Sequence, residues 1–166
     1  MDIAAADPLD AAELAAVAAR TFPLACPASV AAEHVASFIE AHLSVTRFDE
    51  YLSNPRYVVL AARADGRIIG YAMLVRDAAE SGSAELSKLY LLPDFHGKGT
   101  SSALMDAALA AAATWGAGSM WLGVNQENER AQRFYLRCGF KIRGTRTFQL
   151  GDHVENDYVL SRPISC

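Results

Sequence analysis

The chain has 166 residues, 52% of them hydrophobic and 20% charged, with a formal net charge of -4. That suits one packed domain with a real core, and it lacks the clustered basic surface that nucleic acid requires. Cys26, Cys138 and Cys166 are far apart and form no CxxC pair, which argues against a disulfide framework and a zinc site.

No basic stretch followed by an apolar core opens the chain, and no apolar run reaches the roughly 18 residues of a membrane span, so a cytoplasmic protein is expected. Residues 2–6 read as a short first strand. Over 9–22, Leu9, Leu14, Val17 and Ala18 fall at helical spacing behind the start signal Asp7-Pro8, and Pro23 and Pro27 are expected to end that helix. Ser29 is the expected N-cap of a second helix over 30–42, with Glu33 in its first turn and Val35, Phe38, Ile39 and His42 on one face. His34 is expected at the surface. A shorter helix is expected over 46–53, before Asn54-Pro55.

The period then changes. Residues 57–63 and 68–76 read as strands, and Asp65-Gly66 between them signals a hairpin. A polar loop is expected over 77–82, then a strand over 83–92 stopped by Pro93, and an alanine-rich helix over 99–115. A strand over 119–124 and a helix over 128–138 follow, with Gly139 as the residue past the helix end. Residues 140–150 and 153–160 read as a closing hairpin around Gly151-Asp152. This order predicts a mixed α/β (α+β) fold, one sheet with helices packed on it, in a single domain over 1–166.

The turn over 91–104 carries the first chemical signal. A strand ends, Gly97 and Gly99 follow with Lys98 between them, and a helix begins at Thr100-Ser101-Ser102-Ala103. The first N–H groups of a helix have no internal acceptor and carry the positive end of its dipole, so small residues there make an anion site suited to a pyrophosphate. A plain strand-to-helix turn has the same look. Neither the P-loop pattern nor the dinucleotide fingerprint is present.

The second signal is Asn125-x-x-Asn128-x-x-Ala131-x-x-Phe134-Tyr135-x-x-Cys138-Gly139-Phe140. An amphipathic helix accounts for the stripe of Ala131, Phe134 and Cys138. It does not account for Asn125 and Asn128 after a strand, or for Gly139-Phe140 opening another.

In order and spacing, the two segments resemble the motifs of the GCN5-related N-acetyltransferase (GNAT) family. The first reads His96-Gly97-Lys98-Gly99-Thr100-Ser101, where the family pattern has Gln or Arg at His96 and Gly or Ala at Ser101. The resemblance covers roughly 57–160. It implies a mixed, mostly antiparallel sheet splayed between two central strands, with helices on both faces, and acetyl-CoA as co-substrate. It implies that the backbone at Leu91 and Leu92 meets the pantetheine arm, that the pyrophosphate meets the segment from Lys98 to Ala103 near His96 and Gly97, and that Asn128 and Tyr135 lie near the sulfur. It makes 1–56 a helical substrate-side region, and it leaves a homodimer open.

In such a reaction a neutral amine attacks a thioester. A backbone N–H at Leu91 could stabilise the oxygen that gains charge. Tyr135, whose hydroxyl is protonated at neutral pH, is the candidate general acid, against the alternative of a half-buried core tyrosine. Glu85 is the candidate base. By period two it is in phase with Ser87 and Leu91, but six residues of strand are about 20 Å, so a water chain would be needed and a structural glutamate is the competing reading. Asp152 and His153 are expected to be exposed, and His42 to be a satisfied partner on a core face.

Thr21-Phe22, the segment over 29–44 and the tail around 147–160 bear a weaker likeness to bacterial spermidine/spermine N-acetyltransferases of the PaiA type. Glu33, Glu40, Asp49 and Glu50 could serve a polyamine pocket or be ordinary solvated charges. An aminoglycoside, a protein N-terminus, or a non-catalytic CoA-binding sensor or interaction module stay open as alternatives.

Overall fold

The computed structural model of the chain describes residues 1–76 and 82–164; all but Gly82 of the loop expected over 77–82, and Cys166, lie outside them. Seven strands form one sheet: β1 (Asp2–Ala5), β2 (Tyr57–Ala64), β3 (Arg67–Arg76), β4 (Ser83–Leu91), β5 (Ser119–Asn125), β6 (Lys141–Leu150) and β7 (His153–Pro163). Their order is β1-β2-β3-β4-β5-β7-β6. The β2–β3 turn places Asp65 at φ 52° and Gly66 at φ 78°. Two left-handed residues in sequence twist the backbone the way a hairpin needs, which is why Asp-Gly was a sound signal.

The helices are α1 (Ala11–Ala25), α2 (Ala32–His42), α3 (Val45–Ser53), α4 (Thr100–Thr114) and α5 (Glu129–Arg137). Two expected boundaries are corrected. Pro23 does not end α1 but lies in its last turn, where only Leu24 and Ala25 follow and little of the helical ladder is lost. Ser29 does not cap α2: the helix starts two residues later than expected, behind Ala31, which offers no side-chain cap. By contrast, Ser44 caps α3 by accepting from the Arg47 N–H at 3.2 Å.

Strand β3 is buried from Ile68 through Val75, so both of its faces are covered. On one face Tyr71 meets Phe48 of α3 with ring centroids 5.7 Å apart, and Tyr90 of β4 meets Phe22 of α1 at 6.5 Å. Helix α4 packs against β1 to β4 and buries Leu104, Met105, Ala108 and Ala112.

Strands β4 and β5 run parallel and pair through Ser83–Ser119, Ala84–Met120 and Glu85–Trp121. Beyond Glu85 they part, and the rest of β4 faces a gap. The other neighbouring strands are antiparallel. One irregularity inside β4 overturns an expectation. Met73 pairs with Lys88 and Leu74 with Leu86, which leaves Ser87 as a bulge. The extra residue shifts the side-chain alternation by one. Glu85, Lys88 and Tyr90 therefore share the face of Val75, Met73 and Tyr71, and Leu91 lies on the other. The in-phase relation expected between Glu85 and Leu91 does not hold.

Candidate active site

A cavity of about 1050 Å³ opens where β4 and β5 part. It is large enough for a cofactor-sized molecule. It gathers residues from both sequence motifs, including Leu91, His96, Gly97, Asn128 and Tyr135, and it reaches Glu85.

Backbone direction explains one wall. The Leu92 N–H donates to the Ile69 carbonyl of β3 at 2.8 Å. Alternate residues of a strand direct their backbone groups to opposite edges, so Leu91 and Leu89 turn theirs toward the gap. Leu92 itself is buried and its N–H is engaged, so of the expected pair Leu91 is the one free to meet an arm lying in the gap.

At the turn, Gly97 and Gly99 have φ of 79° and 81°, a region that favours glycine. Gly99 precedes α4 and presents no side chain there. The first helical hydrogen bond runs from the Ala103 N–H to the Gly99 carbonyl at 3.0 Å, so the N–H groups of Thr100, Ser101 and Ser102 have no helical acceptor. Gly97, Gly99, Ser101 and Ser102 line the cavity. Thr100 is buried, so its contribution there is its backbone alone. Lys98 stays exposed, with its ammonium 5.6 Å from the centre of the Phe95 ring, and Ala103 is half-buried; neither lines the cavity.

His96 is braced on both sides. Its Nε2 donates to the Leu91 carbonyl at 2.9 Å, and its Nδ1 accepts from Arg130 Nη2 at 2.7 Å. A carbonyl can only accept and a guanidinium can only donate, so the neutral ring with its proton on Nε2 satisfies both. This link ties the start of α5 to the end of β4 across the gap. Arg130, which also lines the cavity, was not singled out in the sequence, because its partner is 34 residues away.

Asn128 caps α5 by accepting from the Ala131 N–H at 3.2 Å. Its oxygen is thereby committed to the helix. Tyr135 lies one helical turn beyond Ala131, edge-on to Phe134 and Phe140. Burial, and to a lesser degree Cys138, holds its hydroxyl pKa well above the ordinary phenol range. Tyr135 lines the cavity, and its hydroxyl is committed to no protein hydrogen bond among the described residues.

The opposite wall is acidic and aromatic. Glu33, Glu40, Asp49 and Glu50 are exposed and none lines the cavity. The carboxylates that do are Glu85, Glu155 and Asp157. Asp157 accepts from Arg146 Nε at 3.3 Å, and Glu155 Oε2 accepts from Asn125 Nδ2 at 3.2 Å. Arg146 crosses the sheet over the Trp121 ring, 5.7 Å from its centre, and over Gly123, where a Cβ would collide with the guanidinium. Burial raises the Glu85 and Asp157 carboxyl pKa values, with Arg146 opposing the shift in both. Burial pulls the Lys88 ammonium down to about 8, although Glu85 favours its charged form. Phe22, Phe38 and Phe148 complete this side, with Phe22 stacked on Phe38 at 4.6 Å. His34 is not the surface residue expected, because its ring packs against Gly151. His42 lies against Phe38 at 4.6 Å and lines the cavity; burial lowers its pKa.

A sequence profile described as Acetyltransferase (GNAT) family matches residues 24–140. The chain belongs to the GNAT acetyltransferase family. An uncharacterized N-acetyltransferase of Mycobacterium tuberculosis is 64% identical over 155 residues, which cover 93% of this chain and 98% of the relative. A further uncharacterized N-acetyltransferase, of Lactobacillus delbrueckii, is 26% identical over 160 residues, 93% of this chain and 92% of that one. Among solved structures, the PaiA N-acetyltransferase from Thermoplasma acidophilum in complex with coenzyme A superimposes with a TM-score of 0.83 at 24% identity, over 98% of this chain and 99% of that one. The ribosomal-protein-S18-alanine N-acetyltransferase from Escherichia coli gives 0.72 at 20% identity, over 99% and 94%. These likenesses show the fold.

As a GNAT acetyltransferase the protein uses acetyl-CoA. Its residues fit that co-substrate: unpaired strand edges face the gap, and free N–H groups at small residues open α4. Among the described residues, no helix is long and apolar enough to cross a membrane, and no cluster of His, Cys, Asp or Glu could hold a metal ion.

Proposed function

We propose that this acetyltransferase moves the acetyl group of acetyl-CoA to a primary amine by direct attack in a ternary complex, with a polyamine as a member of the acceptor class. The observation that carries the reading is that the uncommitted Tyr135 hydroxyl and the gap-facing backbone of Leu91 border the same cavity as Glu85. Residues 1–56 supply helices over the acceptor side, and residues 57–160 form the acetyl-CoA-binding core. The cytoplasm, where acetyl-CoA is made and used, is the expected compartment.

The chemistry divides among these residues. Glu85 takes, through a chain of water, the proton that an incoming ammonium must lose, and its raised pKa makes it a better base than an exposed carboxylate. As the amine nitrogen bonds to the acetyl carbon, the Leu91 N–H donates to the oxygen that gains charge. As the carbon–sulfur bond breaks, Tyr135 gives its proton to the thiolate. Desolvation keeps Tyr135 protonated at the pH where it must donate. The first helical turn of α4, with the backbone of Gly97 and Gly99, holds the pyrophosphate, Lys98 adds positive charge beside that turn, His96 braces the strand end at Leu91, and Asn128 helps to fix the wall near the sulfur. Holding two reactants in register supplies much of the rate.

Initial velocities with both substrates varied test the reading. Intersecting double-reciprocal lines are expected. Parallel lines, the mark of a covalent acetyl-enzyme, would exclude direct attack.

A further inference from the structure

We infer that Lys88 is the group that takes the proton directly from the incoming ammonium, with Glu85 behind it as the far end of the same proton path. This rests on the amine-acetylation reading above and names the link of that path that stands closest to the reacting nitrogen.

The course of β4 places Lys88 there. Glu85 pairs with Trp121, the last point at which β4 and β5 are joined, so it sits at the closed end of the gap. Lys88 comes after the strands have parted, and it lines the cavity. The bulge at Ser87 turns it onto the face of Glu85 and Tyr90, where Tyr51 of α3 and Phe22 of α1 also lie. Lys88 is about 10 Å of strand from Leu91, against about 20 Å for Glu85, and its flexible four-carbon stem spans part of that distance.

The surroundings of Nζ suit an amine that changes charge. Lys88 is half-buried, and among the described residues no carboxylate pairs with it. Its Nζ has Ser87 Oγ at 3.2 Å, a hydroxyl that accepts from the ammonium and can turn to donate to the amine. The Tyr51 ring, 5.6 Å away, attracts the cation once it forms. The charged and titratable groups around it are Glu85 on β4, Arg47 and Tyr51 on α3, and His42 on α2. Burial lowers the Lys88 pKa from 10.5 to about 8, with Glu85 opposing the shift and Arg47 adding to it. Near pH 8 a large share of Lys88 is then neutral, able to accept a proton and without charge to repel a cationic acceptor.

The proton balance favours Lys88 over its neighbours. An alkylammonium has a pKa of about 10.4. A base near 8 takes its proton with a smaller uphill step than a carboxylate raised from 4.5, or than His42, which burial lowers from 6.5. Tyr51 donates its hydroxyl to the His42 carbonyl at 2.8 Å and is engaged. In the step, the acceptor nitrogen loses a proton to the Lys88 amine, and its freed lone pair bonds to the acetyl carbon. Lys88, now an ammonium, passes the proton through water to Glu85, which returns it to solvent.

The pH dependence of kcat for CoA thiol release, with butylamine and with spermidine as saturating acceptors, tests this. In the wild type kcat should rise through an apparent pKa near 8. Lys88→Arg keeps the charge but cannot give up its proton, so kcat should fall by about 100-fold or more and that rise should vanish. Lys88→His, which still titrates, should recover part of the rate with the rise moved to lower pH. Calorimetry should show acetyl-CoA binding unchanged in both variants. A wild-type rate in Lys88→Arg, or a rise near pH 8 that persists in it, overturns the assignment to Lys88 alone. Loss of acetyl-CoA binding in both variants would mark Lys88 as structural and overturn it too. No turnover of either amine by a wild type that binds acetyl-CoA overturns the acetylation reading itself, and the role of Lys88 with it.

Discussion

His96 donates its Nε2–H to the carbonyl oxygen of Leu91 across 2.9 Å, and so fixes the end of β4 at the point where its backbone faces the open gap. Arg130 holds the other ring nitrogen. His96→Ala should therefore raise the KM for acetyl-CoA about fivefold, the scale of one lost hydrogen bond, with a smaller change in kcat. His96→Gln, which keeps a donor, should recover part of the loss. Steady-state kinetics with acetyl-CoA varied check this.

Tyr135→Phe should lower kcat by about 100-fold or more while acetyl-CoA still binds, because a phenyl ring keeps the packing and removes the proton. Desolvation raises the Tyr135 pKa above the ordinary phenol range, so its proton is retained as the solution becomes alkaline. In the wild type, kcat should not fall between about pH 8 and 10, the upper value being the ordinary tyrosine pKa. A pH profile at saturating substrates checks both statements.

Glu85→Gln should lower kcat and raise stability together. Burial raises the Glu85 pKa above its ordinary value of 4.5. The folded state then binds this proton more tightly than the unfolded state. Its stabilising effect is present at low pH and is lost as pH rises through the folded-state pKa. Near pH 7 the wild type carries a buried charge that the variant lacks, so the variant should melt higher. The difference should close as pH falls below 4.5. Melting curves across pH read it.

Gly70→Ala should disturb the same strand end from behind. A Cβ there would lie 2.8 Å from both Leu91 Cδ1 and the Tyr90 carbonyl oxygen. Backbone cannot yield as a side-chain tip can, so a loss of about 1–3 kcal/mol of stability is expected, with weaker acetyl-CoA binding. Denaturant melts and calorimetry measure the two effects.

Local signals in the sequence held where one short segment determines the outcome. Asp65-Gly66 made its hairpin, and Gly139 followed the end of α5 at φ 91°. Tyr135 and Leu91 reached one cavity because strand–turn–helix units place their ends at the same sheet edge. What the sequence concealed depends on pairing across long separations. The Ser87 bulge is visible in the register of β3 against β4 and has no signature of its own, so Glu85 was set on the wrong face. Glu155 and Asp157 carry no local signature, because only the insertion of β7 between β5 and β6 brings them beside Asn125 and Arg146. The exposed carboxylates of the N-terminal helices were the ones a linear reading could find.

The most direct measurement is the release of CoA thiol from acetyl-CoA by the purified chain across a panel of primary amines, with Tyr135→Phe in parallel. The expected result is saturable turnover of at least one amine, cut by about 100-fold in the variant. Acetyl-CoA binding with no turnover of any amine, or turnover untouched in Tyr135→Phe, would contradict the assignment of this cavity as an amine acetylation site with Tyr135 as its acid.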